Sequence, residues 1–401
     1  MKTKNGAGIT LLNSKPSLSN ILADNAVVLI FVIITLSAIP VSGLPLKSIA
    51  QEILTRIGRN CFLVFSLLLP IMAGMGINFG MVLGAMAGQI GLIFAVDWSI
   101  MGVPGLIFAS LIAVPIAALL GWLAGIILNK ARGREMVTGY VLGFFMDGFY
   151  QFLVLYLMGH VALRSAGGWR ALIPIHSPSI VLSRGYGIRN TLNLDAVRQS
   201  LDRFIPLQIA GINIPLTNYI IIALLCLFII WFRRTKLGQD MRAVGQNQAV
   251  AHAAGIPVDR TRTIAIVIST VLAALGQIIF LQNMGNMATY NAHRQTGFFA
   301  AAAILVGGAS VSKAGIANVF IGTVLLHLMY IVVPRAGTNL FGDAQIGEYF
   351  RDAFSYAIIA LTLVIHAWRK RANAEAARSG LRGGLTTSSD VQWSGKQERQ
   401  E

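Results

Sequence analysis

The chain of 401 residues is 55% hydrophobic and only 12% charged, and its mean hydropathy is +0.68. This composition is far too apolar for a soluble domain, so it excludes soluble enzymes and soluble binding modules. The 32 Lys and Arg residues outnumber the 16 Asp and Glu residues and give a formal net charge of +16. We therefore predict an integral membrane protein.

Uncharged stretches define the candidate membrane spans. Seven stretches lack Asp, Glu, Lys and Arg, and each is long enough for one or two helices, since a helix needs about 20 apolar residues to cross the bilayer. With two weaker runs they predict an all-α integral membrane protein of about ten transmembrane helices. The predicted spans are 26–44, two within 60–96, 103–128, 136–160, about 215–232, 263–281, 297–309, 315–334 and 353–368.

Two of these spans are irregular. Residues 60–96 are apolar throughout but contain Pro70 and the glycine-rich stretch GMGINFGMVLGAMAGQIG, which predicts two helices joined near Asn78. Residues 297–309 are few for a full crossing, so we expect a tilted or re-entrant helix that is buried against its neighbours.

The excess positive charge lies in short loops and at the chain ends. Lys and Arg in short loops mark the cytoplasmic side of a membrane protein, so we expect both termini in the cytoplasm and no nucleic-acid partner. The three basic clusters are Lys130, Arg132 and Arg134; Arg233, Arg234, Lys236, Arg242, Arg260 and Arg262; and Arg369, Lys370 and Arg371.

The spans divide the chain into segments. We predict a cytoplasmic N-terminal segment at 1–25, followed by a span-length run that acts as a signal anchor, and a transmembrane domain at 26–368. Within this domain, 161–214 is a long external segment rich in Pro, Ser, Gly and Arg. Residues 369–401 lack any apolar period and are expected to form a disordered cytoplasmic tail.

A polar stretch, RTKLGQDMRAVGQNQAVAHAAGIPVDRTR, interrupts the apolar sequence at 234–262. Its alanines favour a short helix from Gln248 to Ala254, and Gly255 followed by Ile256 and Pro257 is a helix stop signal. We therefore expect a short helix in a cytoplasmic loop. A passive solvated connector is the alternative.

Two stretches carry a family resemblance: Gly245 and Asn247 followed by AAGI at 253–256, and AAAILVGGASVSKAGIANVFIGTVLLHLMYIV at 301–332. Together they resemble the ABC importer permeases of the branched-chain amino acid and simple-sugar class. The first is similar to the loop of that family that docks on the ATPase subunit, and the second resembles the GG[AT]S turn and Gly-rich helix of ribose- and galactose-type permeases. The resemblance assigns ATPase coupling to Gly245, Asn247, Ala253, Ala254, Gly255 and Ile256.

The resemblance covers about 60–366 and implies a function. It implies a permease subunit that forms the path for a small polar solute, a simple sugar or a nucleoside, across the bacterial plasma membrane. A branched-chain amino acid or another small solute is the alternative. The implied partners are an ATPase subunit, a second permease that is identical or related, and an extracytoplasmic solute-binding protein. No GxxxxGK[ST] phosphate loop occurs, so ATP is expected on the ATPase, with no cofactor and no catalytic residue in this chain.

A path for an uncharged solute requires neutral hydrogen-bonding groups at membrane depth. Our candidates are Asn78, Phe79, Gln89, Asn283 and Asn286, with Gln277 and Gln282 nearby. The alternative for the amides is hydrogen bonding between helices, worth about 1 kcal/mol each. Asn78 is favoured because glycines break its helix. The related sugar permeases usually carry an acidic residue in a GGIDLSVG-like stretch, where this chain has GINFGMVLG.

Asp147 is the only carboxylate within a predicted span. It is either functional, as intramembrane acids often are, or hydrogen-bonded to Gln151 one turn later. An ion-coupled secondary transporter would need more buried carboxylates and inverted repeats, and a membrane enzyme would need an acid-base or nucleophile constellation. The six His residues are too dispersed for a metal site, and Cys61 and Cys226 are expected to be buried hydrophobic residues.

Overall fold

The structure is a computed structural model that describes residues 26–164, 172–209, 211–310, 313–343 and 345–353, with 356, 357, 360 and 364. The predicted segments 1–25 and 369–401 lie outside the described residues, as does most of the predicted last span, 353–368.

The described part of the chain is mainly helical. Two 3-10 turns, at Phe79–Met81 and Pro178–Ile180, and a π-helical turn at Leu153–Leu157 accompany the α-helices. The α-helices are α1 (Ala26–Ser42), α2 (Leu46–Phe65), α3 (Leu68–Met72), α4 (Val82–Asp97), α5 (Gly102–Lys130), α6 (Glu135–Phe152), α7 (Val161–Arg164), α8 (Leu216–Phe232), α9 (Lys236–Gln246), α10 (Gln248–Ala253), α11 (Val258–Met284), α12 (Thr296–Val306) and α13 (Ile316–Phe341).

The mainly helical content agrees with the predicted all-α membrane protein, and six short strands accompany the helices in the described residues. The first two pair in parallel, β3 pairs antiparallel with β6, and β4 and β5 form an antiparallel hairpin. Five of the six lie between α6 and α8, and the pairing of β3 with β6 holds the segment predicted to be external against the end of α11. The strands are β1 (Met158–His160), β2 (Ile173–Ile175), β3 (Thr191–Asn193), β4 (Pro206–Ile209), β5 (Ile212–Pro215) and β6 (Asn286–Ala288).

Five described helices are long and apolar enough to cross a membrane, which makes the chain a multi-pass membrane protein. A sixth span results if α8 and α9, which are bent by 76°, count as one. Two further apolar helices, Val28–Ser42 and Thr296–Val306, are shorter, so the total of ten stays a prediction. The five are Phe79–Asp97, Gly102–Lys130, Glu135–Leu157, Val258–Met284 and Ile316–Phe341.

The predicted break near Asn78 is confirmed. Helix α3 ends at Met72, and a new helical turn begins at Phe79. Between them Gly74 and Gly76 adopt φ values of +74° and +73°, which glycine reaches without the steric penalty of a side chain. The uncharged run 60–96 is thus two helices that approach the same loop.

Helix α4 is buried against α5 and α11, and small residues allow this close packing. A Cβ atom at Gly88 would lie 2.6 Å from the carbonyl oxygen of Ala274, and one at Gly84 would clash with Thr270 in the same way. In contrast, only 22% of the most apolar stretch of Glu135–Leu157 is buried inside the protein, whereas 78% of the corresponding stretch of Phe79–Asp97 is buried. Helix α6 therefore lies at the edge of the described helices.

Candidate functional site

The coupling loop, residues 234–262, contains the predicted short helix. Asn247 is the N-cap of α10, since its Oδ1 accepts hydrogen bonds from the backbone N–H groups of Ala249 at 3.0 Å and Val250 at 3.2 Å. At the other end Gly255 has φ +80°, and the N–H of Ile256 donates to the carbonyl of Ala251 at 3.0 Å. These residues end the helix as expected from their types.

The coupling residues divide into partly buried and exposed groups. Ala253, Ala254 and Gly255 are exposed, and Ile256 is partly buried beside a small cluster formed by Val244, Ala251 and Val258. The short helix therefore rests on one apolar face and presents its C-terminal end outward. Their role in ATPase coupling stays a prediction.

Gly245 connects the coupling loop with the broken helix. A Cβ atom at Gly74, in the break, would lie 2.8 Å from the Cα of Gly245, and a Cβ at Gly245 would clash with the carbonyl group of Met72. Both glycines are thus required by the close approach of two backbones. The last turn of α9, just before α10, therefore touches the point where the apolar run 60–96 is interrupted.

Asp147 is the centre of an ionic cluster. Its Oδ1 lies 2.7 Å from Nε2 of His293, and its Oδ2 accepts hydrogen bonds from Arg294 Nη2 at 2.7 Å and Nε at 3.1 Å. The predicted bond from Gln151 Nε2 to Oδ2 is present at 3.2 Å. Nδ1 of His293 lies 3.1 Å from Oε1 of Gln89. This ionic cluster holds the loop before α12 against α6 and α4.

The ionic cluster lies between two cavities. The amide cavity, of about 540 Å³, is lined by Asn60, Asn286, Asn291, Thr296 and His327 among others. The aromatic cavity, of about 180 Å³, is lined by Phe79, Tyr140, Phe144, Phe298 and Tyr356 among others. Arg294 and Gln295 line both cavities. The side chain of Arg294 is 51% exposed, so its charged group lies at the junction where the two cavities meet.

Two of the predicted path residues line these cavities. Phe79 lines the aromatic cavity, where its ring lies 5.9 Å from those of Tyr140 and Phe298, and Asn286 lines the amide cavity. Gln89 is fully buried behind the aromatic cavity, in contact with His293.

The other predicted path residues are engaged in contacts between helices. Nδ2 of Asn78 donates to Oγ of Ser269 at 3.1 Å, and Asn78 is buried outside the linings of both cavities. Asn283 accepts from Arg59 Nη1 at 3.1 Å and donates to Asp202 Oδ2 at 2.7 Å. These bonds correspond to the alternative interpretation of the amides, while a role in solute passage stays a prediction for each.

Sequence reasoning missed His293 and Arg294. The available signal was Arg294 itself, a single charge within a stretch of 50 residues that otherwise lacks charge between Arg262 and Lys313. A lone basic residue in that position needs an acidic partner, and Asp147 was the only intramembrane candidate. Among the described residues no group of three or more His, Cys, Asp or Glu could hold a metal ion.

Comparison with known proteins gives several related permeases. The chain is 29% identical over 167 residues to a probable ABC transporter permease protein of Escherichia coli, covering 42% of this chain and 48% of that protein. It is 29% identical to the nucleoside ABC transporter permease protein NupB of Lactococcus lactis, over 40% of this chain and 43% of that one. It is 23% identical to the xylose/arabinose import permease protein XylH of Sulfolobus acidocaldarius, over 67% and 63%.

The chain thus spans about half the length of the first two relatives and less than two thirds of the third. No solved structure matches it significantly. The model of the family described as the permease component of the branched-chain amino acid transport system matches residues 49–366. Because this match covers most of the sequence and both motifs singled out above, the chain belongs to this family of transport permeases.

Proposed function

We propose that the chain is the membrane subunit of an ABC importer and forms the path for a small polar solute, a simple sugar or a nucleoside. The observation that carries this proposal is the capped helix α10, which presents Ala253, Ala254 and Gly255 outward from a loop between two apolar helices. A short exposed helix with two well-defined caps is suited to docking on another protein.

The energy source of the proposed importer lies on another subunit. The sequence has no phosphate-binding loop, so ATP hydrolysis is assigned to an ATPase that contacts α10. A solute-binding protein delivers the solute at the opposite face, and a second permease, identical or related, completes the path. In this arrangement the protein lies in the bacterial plasma membrane with the basic clusters and both termini in the cytoplasm.

Ten crossings agree with this arrangement. Counting α1, the broken pair α2 and α3, α4, α5, α6, α8, α11, α12 and α13 gives nine, and the predicted span 353–368 supplies the tenth. The coupling loop and the end of α5 then lie on one side, joined by a hydrogen bond of 2.9 Å from Asn129 Nδ2 to the carbonyl oxygen of Asp259.

The solute path is proposed to follow the two cavities beside α6. A charged side chain is costly where it faces lipid, yet Arg294, which precedes α12 and pairs with Asp147 of α6, has a half-exposed side chain. We infer that this face of α6 lies against water or against the second permease. Phe79, Arg294 and Asn286 then contact the passing solute.

The charges of the cavities favour a neutral solute. Among the described residues that line the two cavities, Asp147 and Arg294 are the only acidic and basic residues apart from histidine, and they pair with each other. The described linings therefore offer no unpaired carboxylate that would attract the ammonium group of a zwitterionic amino acid. The names of two relatives, a nucleoside permease and a xylose/arabinose permease, agree with a neutral, hydroxyl-bearing solute.

The test is to modify the exposed end of α10. The double variant Ala253→Glu, Gly255→Arg is expected to insert normally and to lose solute-stimulated ATP hydrolysis in the reconstituted complex, because bulky charges cover the docking surface. The matched control is Lys313→Glu, a charge change at an exposed turn assigned to the same side. Wild-type stimulated hydrolysis in the double variant would overturn the coupling role of α10.

A further inference from the structure

Arg262 is a fully buried arginine beside the coupling loop. Its side chain is 0% exposed, and its Nη2 donates to Oε1 of Glu135 at 2.5 Å. Its Nη1 lies 3.5 Å from Oε1 of Gln248, and its Nε has no hydrogen-bond partner among the described residues. Buried ion pairs can often be replaced by apolar residues with no loss of stability. Stability alone is therefore a weak explanation for this arrangement.

Gln248, Glu135 and Arg262 each lie near the start of a different helix. Gln248 is the first residue of α10, Glu135 is the first residue of α6, and Arg262 lies in the second turn of α11. The guanidinium group thus connects the proposed ATPase-docking helix with a membrane-spanning helix. The neighbouring pair of Arg132 and Asp259 also joins the turn before α6 to α11, but its side chains are 50% and 62% exposed. An exposed pair of this kind contributes little.

Helix α6 is held at a second ionic point. Asp147 follows Glu135 by 12 residues, which is about 18 Å along an α-helix, and it binds Arg294 at the junction of the two cavities. Between these points α6 presents Gly139 and Gly143 to the broken helix. A Cβ atom at Gly139 would lie 3.3 Å from the backbone nitrogen of Gly80, and one at Gly143 would lie 3.9 Å from the carbonyl oxygen of Phe79. The backbones thus approach each other along this glycine face, while the rings of Tyr140 on α6 and Phe79 on the broken helix lie 5.9 Å apart beside it.

We propose that the ion pair of Glu135 and Arg262 is a positioning pair that transmits displacement of α10 to α6. When the ATPase moves α10, Gln248 and Arg262 move Glu135, and α6 shifts along its glycine face as one rigid helix. The shift carries Asp147 and therefore changes the position of Arg294 between the amide and aromatic cavities. This inference rests on the proposed function, since it assumes an ATPase on α10.

The test removes the pair without leaving a buried charge alone. The double variant Glu135→Gln, Arg262→Met replaces both partners, which is far less disruptive than removing one. The matched control is Arg132→Gln, Asp259→Asn, which removes the exposed pair between the same two parts of the chain. Both are studied in the assembled complex with its ATPase and solute-binding protein in nanodiscs.

Two environment-sensitive fluorophores report the movement separately. One is attached at Val250→Cys on α10 and the other at Val141→Cys on α6, positions that are 64% and 59% exposed, in chains whose Cys61 and Cys226 are replaced by Ala. Without the substitutions, ATP is expected to change the fluorescence at both sites. With the Glu135→Gln, Arg262→Met substitutions, the change at Val250→Cys persists, while that at Val141→Cys falls at least fivefold. The control pair leaves both changes intact.

Three results would overturn the inference, and only the third of them would also contradict the proposed function. An undiminished ATP response on α6 after removal of the pair shows that α6 is driven by another contact. Loss of complex assembly in both Glu135→Gln alone and the double variant shows that the pair is only structural. Absence of any ATP response at Val250→Cys in the otherwise unchanged chain contradicts the docking of the ATPase on α10, and so the proposed function itself.

Discussion

The ionic cluster at the junction of the cavities provides the most specific prediction. Asp147→Asn keeps the shape of the side chain but removes its charge. The amide oxygen can still accept from Arg294, and the new NH₂ group can donate to Nε2 of His293 when that nitrogen is unprotonated. Both contacts of this carboxylate at 2.7 Å, to His293 and to Arg294, nevertheless lose the negative charge of their acceptor.

The expected magnitude follows from these contacts. A hydrogen bond to a charged group contributes about 1.5–3 kcal/mol, and the Asp147 side chain is 12% exposed, so its contacts are little weakened by solvent. Arg294 is half exposed, which reduces its share to about 1 kcal/mol. We expect Asp147→Asn to lower the free energy of unfolding by about 2–3 kcal/mol, and Arg294→Gln by about 1 kcal/mol.

The assay is a double-mutant cycle measured by equilibrium unfolding in mixed micelles. Because the two side chains touch, the Asp147→Asn, Arg294→Gln double variant should be more stable than additivity predicts, by about 1 kcal/mol. Solute uptake per assembled complex should fall in Asp147→Asn, since an unpaired Arg294 is left between the cavities. When Arg294 is also replaced, uptake should recover only in part, because the unpaired charge is gone but a proposed solute contact is lost as well.

Two results would refute this reasoning. If the effects of the two substitutions on the unfolding free energy simply add, Asp147 does not hold Arg294 in the native protein. If Asp147→Asn changes neither stability nor normalised uptake, the ionic cluster has neither the structural nor the functional importance assigned to it.

The other predictions test contacts and topology. Gly245→Ala should destabilise the protein by about 1–3 kcal/mol through a clash with the backbone of the broken helix. The control Gly148→Ala, where a Cβ meets nothing within 4 Å, should stabilise the protein by about 0.5–1 kcal/mol. Equal melting temperatures for the two variants would contradict the close approach of Gly245 to the broken helix. Asn78→Leu should cost about 1 kcal/mol of stability because it loses the bond to Ser269, and uptake per assembled complex tests its predicted role: a fall supports Asn78 in the solute path, and unchanged uptake removes it. An impermeant thiol reagent added outside should label Arg184→Cys and spare Lys236→Cys, and the reverse pattern would invert the topology.

Local features were accessible from the sequence. The uncharged stretches identified most of the apolar helices because charges are excluded from lipid. The positions of Asn247 and Gly255 predicted the ends of α10 because caps depend on neighbouring backbone groups. The break near Asn78 followed from glycines that permit positive φ angles. Each of these properties is decided within a few residues along the chain.

Only the tertiary structure decided which distant polar groups meet. Asp147 and His293 are 146 residues apart, and no local pattern indicates that the loop before α12 reaches α6. The same holds for the pairing of β3 with β6 and for the burial of Asn78 against Ser269. A buried polar group is stabilised by whichever partner packing brings within hydrogen-bonding distance, so its partner follows from the arrangement of the helices and not from its own sequence context.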